Sequence, residues 1–371
     1  MRFARGSNTR RAFGLMAVSC GMAWLAFPQK KDETQTLQLP RDLPSAVEGN
    51  PRRLTFHVTP LSSKGLLSKQ VRDALGALSH EAKGDPILKI RAFVAGSGDA
   101  RRVRDLVSEV FTDRRQPLPA LSLVQVGALP MEGAQVVLEG IAEGRKDSSA
   151  EGLVFVSAQA AVSENPLDPV APLAAKSLAA LGEAVKAAGS EPADVTRITC
   201  FLSSLDNLAA TRQLVETGYP HAAADYVQPQ RSPTQALAAC EAVAGLRRKT
   251  GARVELFNPE GLPRDTGQSQ VALVAAPKVV LTGTQVSFGF AETDAHLAFE
   301  RLLKALEQAG VSTRDVVFVD CYPLTAGIAG QVRKVRAEFF NAANPPAGTL
   351  LPFEGLPSMD AGFAVDVVAA K

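Results

Sequence analysis

The sequence has few aromatic residues and few histidines: one Trp, three Tyr and four His among 371 residues. A stacking platform for single-stranded nucleic acid needs several exposed rings, so the composition argues against one. The chain also contains no H-E-x-x-H, no P-loop and no G-x-S-x-G segment. The common signatures of zinc proteases, nucleotide-binding loops and serine hydrolases are therefore excluded.

Cysteines are also few, and their spacing is informative. The four are Cys20, Cys200, Cys240 and Cys321, with no C-x-x-C pair and no histidine at metal-ligand spacing. We therefore predict neither a metal site nor a cofactor. The last three cysteines fall in apolar, strand-like runs, which favours small buried hydrophobes over a disulfide.

The charge is unevenly distributed along the chain. The formal net charge is +2, but residues 1–31 contain six basic and no acidic residues. Without them, 34 basic residues face 38 acidic ones, a net charge of −4. The body of the protein is therefore mildly acidic, so we predict no nucleic-acid partner.

Residues 1–31 have the pattern of a targeting segment. An apolar run from Ala12 to Phe27 lies between basic residues, and Thr9–Phe13 resembles the twin-arginine export motif. An ordinary signal, a retained membrane tether and lipidation stay open as alternatives. We expect an exported protein, periplasmic or membrane-tethered. Residues 32–50 are polar with several prolines, which predicts a linker.

The remaining sequence repeats one order of elements three times. Each copy has an amphipathic helix that ends at a glycine, then a strand, a second helix and two closing strands. The glycines are Gly84, Gly189 and Gly310. We predict β-β-α-β-α-β-β units at 51–147 (the most degenerate), 148–250 and 251–371, in an α+β fold. The opening hairpin is clearest in the third copy, as SQVALVAAPKVVLTGTQ.

Three segments resemble the RidA family, the YjgF-type imine deaminases: GLVFVSAQ with LDP shortly after it, LAALGEAVKAAGSEPADVTRITCFLSSLDNLAA, and SQVALVAAPKVVLTGTQ. The resemblance covers residues 52–371. It implies a chorismate-mutase-like fold that forms homotrimers, with sheets around a central barrel, helices outside and three inter-subunit clefts. A chain with three copies is then expected to be a monomeric, single-chain pseudo-trimer.

The resemblance also implies site residues that this sequence lacks. In the deaminases, an arginine near the start of one strand binds the substrate carboxylate. The equivalent positions here are Leu121, Ala224 and Gly348. Arg231 is the one replacement nearby.

A family glutamate positions the attacking water, and its equivalents are apolar here. They are Val137, Ala239 and Ala364, whereas Glu139, Glu241 and Asp366 lie two residues further on, on the same strand face. The family tyrosine of the opening segment is Gln268 here. Arg231 and Glu241 are therefore the weak catalytic candidates.

Several polar residues remain as pocket candidates. They are Ser157, Gln159, Thr282, Thr284 and Gln285, which either line clefts or satisfy backbone groups at strand ends. We expect a scaffold with degenerate sites that binds a small molecule or a partner protein. The alternative is an active imine deaminase, or a related hydrolase, with a rearranged site between copies.

Overall fold

The computed structural model describes residues 41–96, 98–263 and 267–371. The predicted targeting segment lies outside these residues. Within them, no helix is long and apolar enough to cross a membrane. The described residues fall in one unit of three sheets and six α-helices.

The first sheet has four strands in the order β2-β5-β3-β4. A short strand, β1 (Ala46–Gly49), precedes it in the chain. The elements of the first sheet are β2 (Leu54–Val58), α1 (Leu67–Glu81), β3 (Ile87–Ala95), α2 (Arg101–Asp113), β4 (Ala120–Val126) and β5 (Val136–Glu143).

The second sheet has six strands in the order β10-β11-β6-β9-β7-β8. Its elements are β6 (Gly152–Ser163), α3 (Val170–Ala187), β7 (Val195–Leu202), α4 (Leu208–Gly218), β8 (Ala223–Val227), β9 (Ala236–Leu246), β10 (Val254–Phe257) and β11 (Val271–Val274).

The third sheet also has six strands, in the order β1-β12-β16-β14-β15 with β13 paired to β16. Its elements after β1 are β12 (Val279–Thr282), β13 (Gln285–Phe288), α5 (Glu292–Gln308), β14 (Val316–Pro323), α6 (Ala326–Phe339), β15 (Ala347–Leu350) and β16 (Ala361–Ala370).

All three sheets share one core pattern. A central strand pairs antiparallel with the closing strand and parallel with an edge strand, and the helix between the parallel strands makes the crossover. The apolar stripes of α1, α3 and α5 pack on one face of their own sheets. Gly84, Gly189 and Gly310 follow these helices with positive φ, as a left-handed end requires.

The predicted hairpin of the third copy is wrong. Strand β11 pairs antiparallel with β6 of the second sheet, whereas β12 pairs with β16. Pairing with β6 extends the second sheet along an otherwise open edge. Strands β10 and β11 therefore join the second sheet, although their residues lie beyond the predicted boundary at residue 250.

Part of the predicted linker is a strand. Ala46–Gly49 pairs with Val279–Thr282, so β1 is the edge strand of the third sheet. It lies beside β12 as β11 lies beside β6 in the second sheet, where β10 is the outermost strand. The Glu48 carboxylate accepts a hydrogen bond from Lys278 Nζ at 2.7 Å and another from Lys371 Nζ. Residues near both ends of the described chain therefore meet at one edge.

Two of the three body cysteines form a disulfide, contrary to the prediction. Cys200 on β7 faces Cys240 on β9 in register, with 4.1 Å between their Cα atoms, and the pair is bonded. The spacing of 40 residues in sequence hides this register. In the third sheet the same two positions hold Cys321 and Val365, and Cys321 is a buried free thiol.

Candidate functional site

The three sheets meet through equivalent strands. The edge strands β4, β15 and β8 lie beside β12, β6 and β2 of another sheet. These edge strands carry the three positions where the resemblance implies an arginine, namely Leu121, Gly348 and Ala224. The position where the resemblance implies an arginine can therefore be compared at three junctions with different surroundings.

The junction of β15 with β6 is closed. Ser157 Oγ donates to the Ser269 carbonyl at 2.6 Å and accepts from the Gly348 N–H at 2.8 Å. A Cβ atom on Gly348 would lie 2.1 Å from the Val319 carbonyl oxygen, so an arginine has no room there. Gln159 Nε2 donates to the Ser157 carbonyl at 2.9 Å. Both pocket candidates in the second sheet therefore bond backbone groups.

The junction of β4 with β12 is closed as well. The Thr284 N–H donates to the Leu121 carbonyl at 3.1 Å, and a Cβ atom on Gly283 would lie 2.8 Å from that oxygen. Thr282 Oγ1 accepts from the Val367 N–H at 2.9 Å, and Gln285 Nε2 donates to the Gly283 carbonyl at 3.4 Å. The side chains of Thr282 and Gln285 therefore bond backbone groups, and Thr284 contributes its backbone N–H.

The junction of β8 with β2 is open. A cleft of about 640 Å³ lies between the first and second sheets. Its walls are residues 56–61, which include the end of β2, and residues 222–226, which include most of β8. Val137 and Ala224, which take the places of the family glutamate and arginine, both line it. This junction therefore brings together two positions where the resemblance implies a glutamate and an arginine, and both residues are apolar here.

Charged side chains surround those apolar positions. Arg212 and Glu216 on α4 are exposed at the cleft, and the Arg212 guanidinium carbon lies 5.7 Å from the centre of the Tyr226 ring. Glu81 on α1 and His57 on β2 are half-buried in the opposite wall. Burial raises the pKa of Glu81 and lowers the pKa of His57. The imidazole is therefore neutral in a larger fraction of molecules than a free histidine at the same pH.

Asp225 is the buried carboxyl among the cleft residues. It is 4 % exposed, and its Oδ1 accepts from the Tyr226 N–H at 2.8 Å. Its Oδ2 has no hydrogen-bond partner among the described residues. Burial, followed by the charge of Glu139, raises the pKa of Asp225 to about 7. This carboxyl therefore titrates near neutral pH at the boundary between the cleft and the core.

Behind the cleft, the inner faces of the sheets build a core of stacked layers. Pairing with the closing strands makes Phe93, Phe201 and Tyr322 equivalent. Two residues before them, Arg91, Thr199 and Asp320 are equivalent as well. The Phe93 and Phe201 ring centres are 6.1 Å apart. Because side chains alternate along a strand, both sets face the same interior.

Arg91 connects all three sheets in this core. Its guanidinium donates to Glu139 at 2.6 Å, to Glu241 at 2.7 Å and to the Thr199 hydroxyl at 2.9 Å. Arg197 also donates to Glu241, at 2.9 Å. Burial alone would raise the pKa of Glu139, but the charges of Arg91 and Arg197 outweigh it and lower that pKa.

The third sheet contributes two more buried carboxyls. Asp366 accepts from Lys89 Nζ, from the Ser122 hydroxyl at 2.7 Å and from the Tyr322 hydroxyl at 3.1 Å. Asp320 Oδ2 lies 3.4 Å from Arg91 Nη1, yet burial and the charge of Glu241 raise the pKa of Asp320 well above its usual range. The protonated form of Asp320 is therefore favoured more than that of a free carboxyl.

The two catalytic candidates lie in different places. Arg231 is exposed in the loop between β8 and β9, where its backbone N–H donates to the Glu354 carboxylate at 2.7 Å. Glu241 is fully buried and accepts from Arg91, Arg197 and the Thr349 hydroxyl. The structure does not bring them together, and Glu241 is committed to the core.

A larger hollow of about 900 Å³ lies between β10 and the end of α6. Arg314 is the one charged side chain in its lining. The cleft at β8 is the candidate site because it contains Val137 and Ala224, the positions equivalent to the family glutamate and arginine. Among residues 41–96, 98–263 and 267–371, no group of three or more acidic, histidine or cysteine side chains could hold a metal ion.

Sequence reasoning missed Asp225, Arg212 and the core cations. One signal was present: Lys89, Arg91 and Arg197 interrupt apolar strand segments, and a charge in a buried strand needs a partner. Asp225 directly follows the arginine-equivalent Ala224, but its burial depends on the neighbouring sheet.

The sequence matches no protein-family model and no curated protein. Solved structures do match. A protein of unknown function of the Rid family from Yersinia pestis is 19% identical, with 32% of this chain and 100% of that chain covered and a TM-score of 0.30. A member of the YjgF/YER057c/UK114 family from Mycobacterium tuberculosis is also 19% identical, covering 32% of this chain and 99% of its own, with a TM-score of 0.24.

A putative endoribonuclease L-PSP from Entamoeba histolytica is 21% identical, with 32% of this chain and 99% of that chain covered and a TM-score of 0.24. Each of these matches spans about a third of the chain. The solved structures that this chain is similar to are thus members of the RidA/YjgF/L-PSP family.

Proposed function

We propose that this chain is a RidA-like single-chain pseudo-trimer that binds a small molecule in the cleft between its first and second sheets and has lost imine deaminase activity. One observation carries the proposal: Val137 and Ala224 line the same cleft. In the family's deaminases these positions would supply the glutamate for water and the arginine for the carboxylate. The cavity persists while both reactive side chains are absent.

The test is hydrolysis of 2-aminoacrylate, or of an imine made in situ by an amino-acid oxidase, by the purified full chain. We expect no acceleration over buffer. Acceleration that is lost in Arg212→Ala or Asp225→Asn would overturn the loss of activity. A control with heat-unfolded protein removes any contribution from nonspecific amines.

The active-enzyme alternative has one observation in its favour. Arg212 and Asp225 are both among the residues that line one cleft between two sheets. A guanidinium can bind a substrate carboxylate, and a carboxyl that titrates near neutral pH suits proton transfer. Against this role, Asp225 Oδ2 is shielded from solvent, and Arg212 is on an exposed helix face.

The pseudo-trimer proposal rests on the three equivalent junctions and on the core that Arg91 ties across three sheets. Since these contacts lie within one chain, we expect a monomer. Light scattering on a sizing column should give about the chain mass of 39.1 kDa. A mass near three chains would contradict the proposal.

Cleavage of the chain near Ser148 should leave the first sheet bound to the other two. Dissociation of the first sheet under native conditions would also contradict the proposal.

We also propose that the protein is exported. The basic and apolar pattern of residues 1–31 supports this, and so does the Cys200–Cys240 disulfide, since such bonds persist in oxidising compartments. A fusion of residues 1–50 to a reporter that is active only after export should be active. Replacing Arg10 and Arg11 by Lys tests the twin-arginine route specifically.

A further inference from the structure

The edge of β2 is open where the equivalent edges of the other two sheets are covered. Strands β2, β6 and β12 are equivalent, since each pairs antiparallel with the closing strand of its sheet. Strand β11 covers the other edge of β6, and β1 covers that of β12. Among the described strands, β2 pairs only with β5. Its other edge borders the cleft, because Phe56, His57 and Val58 line it.

Backbone groups of β2 point towards this open edge. The Thr59 N–H, just after β2, donates to the Leu138 carbonyl on β5 at 2.9 Å. Residues of an antiparallel strand bond to one neighbour alternately, so the odd-numbered residues of β2 bond to β5. Phe56 and Val58 therefore direct their N–H and C=O groups away from β5, towards the cleft. Groups of this kind are a template for pairing with another strand.

The two residues equivalent to Val58 show what its N–H can bind. Register with the closing strands places Ser157 and Gly283 at the Val58 position. The Ser157 N–H donates to the Gln270 carbonyl at 2.9 Å, and the Gly283 N–H donates to the Ser45 carbonyl at 2.9 Å. Both acceptors directly precede a covering strand, β11 or β1. The Val58 N–H therefore has the position and direction of a strand-pairing donor.

The opposite wall of the cleft also corresponds to that of a covered junction. Beside β15, the Ser269 N–H donates to the Pro346 carbonyl at 3.3 Å, and Arg336 Nη2 on α6 donates to the Gly267 carbonyl at 2.5 Å. The segment before β11 thus lies between two sheets. At the cleft, β8 and α4 take the places of β15 and α6, and Arg212 on α4 lines the space. The cleft therefore has the walls of a site for an extended segment.

The length of one connection explains why this edge is open. Each covering strand comes just before the first strand of a copy: β11 precedes β12, and β1 precedes β2. The corresponding segment for β2 would precede β6, but only residues 144–151 connect β5 to β6. Within them, the Ser148 hydroxyl donates to the Leu54 carbonyl at 2.8 Å, before the chain enters β6. The described chain therefore supplies no strand for this edge.

We propose that the cleft binds an extended segment of another polypeptide, which adds to the edge of β2 as a short antiparallel strand. The inference rests on the proposed binding site and names its ligand class as a peptide. Residues 45–47 (Ser-Ala-Val) and 270–272 (Gln-Val-Ala) cover the equivalent edges, which indicates a polar residue followed by two small aliphatic ones. Backbone hydrogen bonds supply affinity in strand addition, and side-chain contacts supply specificity.

The probe is a fluorescent, amidated peptide with the sequence of residues 269–274, SQVALV. Its affinity for the purified full chain is measured by fluorescence anisotropy. By the register of β11 on β6, the alanine N–H of the bound peptide donates to the Phe56 carbonyl. N-methylation of that alanine should weaken binding at least about tenfold. The matched control is N-methylation of the next residue, leucine, whose N–H points away from β2 and whose change should stay within about twofold.

Variants of the protein test the same contact from the other side. Val58→Pro removes an N–H that does not bond to β5 and should also weaken binding at least about tenfold. Val58→Thr keeps the N–H and the side-chain shape, and should bind as wild type does. Ala224→Trp fills the cleft and should abolish binding. Circular dichroism checks that each variant is folded, and the methylated peptides test wild type if Val58→Pro folds poorly.

Benzamide, which is too small to add a strand, separates the two proposals. No peptide binding, with benzamide binding that is lost in Ala224→Trp, would overturn the peptide ligand and leave the small-molecule site standing. No binding of either probe would count against both. Peptide binding that is indifferent to alanine N-methylation and to Val58→Pro would overturn strand addition.

Two other occupants of the β2 edge have their own signatures. Peptide binding that appears only after removal of residues 1–40 would assign the edge to the N-terminal segment of this chain. Self-association of the full chain that is abolished by Val58→Pro would assign it to a second copy. Either result would overturn a separate partner.

Discussion

The junction of β15 with β6 and the junction of β8 with β2 occupy equivalent places, yet one is closed and the other open. At the first, Ser157 bonds the Gly348 N–H and no side chain fits at residue 348. At the second, Ala224 lines a cleft of about 640 Å³. One repeated framework therefore tolerates both arrangements, because each junction is set by a few local side chains and not by the shared core.

If the junctions differ only locally, a substitution in the shared core should lower the free energy of unfolding more than a substitution at any one junction. Arg91→Ala leaves the buried carboxylates Glu139 and Glu241 without their shared cation. We expect a loss of about 3–5 kcal/mol in the free energy of unfolding, measured by urea denaturation. The control Arg101→Ala removes an exposed ion pair with Asp99 and should match wild type. A loss confined to the first sheet, seen as a separate unfolding step, would contradict a shared core.

The second and third sheets differ by one disulfide at equivalent positions. Replacing Cys200 and Cys240 by Ala opens a loop of 40 residues, and we expect a loss of about 2–4 kcal/mol. Cys321→Ala, at the equivalent place in the third sheet, removes only a buried thiol and should cost about 1 kcal/mol. Equal losses would show that the disulfide adds nothing beyond packing.

The comparison between junctions is sharpest at the arginine-equivalent positions. Gly348→Ala forces a Cβ atom to within 2.1 Å of the Val319 carbonyl, and we expect a loss of about 1–3 kcal/mol. Ala224→Arg, at the open junction, should cost less than Gly348→Ala, because residue 224 is only half-buried and lines the cleft. Thermal denaturation of the two variants, measured under the same conditions, compares their destabilisation relative to wild type. Equal destabilisation would mean that the cleft is not open to side chains.

The smallest effect concerns the pH dependence of stability. Burial and Glu139 raise the folded-state pKa of Asp225 to about 7. The folded state therefore holds a proton that the unfolded state releases, so the Asp225 contribution to stability is present in acid and is lost as pH rises through about 7. Between about pH 6 and about pH 7.5, Asp225→Asn should gain about 1 kcal/mol relative to wild type. An identical pH slope in both proteins would show that Asp225 does not titrate in this range.

The repeated helices and strands follow directly from the sequence pattern, and β3 lies where the ILKIRAFVA run predicts it. The pairing partners of β1 and β11 could not be read in the same way. Both are short apolar segments, and their partners are chosen by which sheet has an open edge. The Cys200–Cys240 bond likewise depends on strand register, which cannot be derived from the sequence alone.

The degenerate positions were predictable, but their consequences were not. Counting along the chain identified Leu121, Ala224 and Gly348 as equivalents, and the structure gives each its own surroundings. Whether such a position is packed or open depends on residues of a neighbouring sheet, which can be distant in sequence. Ser157 and Gly348, for example, are 191 residues apart in the chain. Asp225 became a site residue for the same reason.

The position of β1 has a consequence for biogenesis. It is the first strand of the described chain to leave the ribosome, yet its partner β12 is among the later ones, and the Glu48–Lys278 contact spans 230 residues. Contacts of such long sequence separation form slowly, and domains tend to fold in the order of synthesis. The third sheet can therefore gain its outer strand only after most of the polypeptide has been made. Until Val279–Thr282 has been synthesised, Ala46–Gly49 is therefore an edge segment without its partner strand.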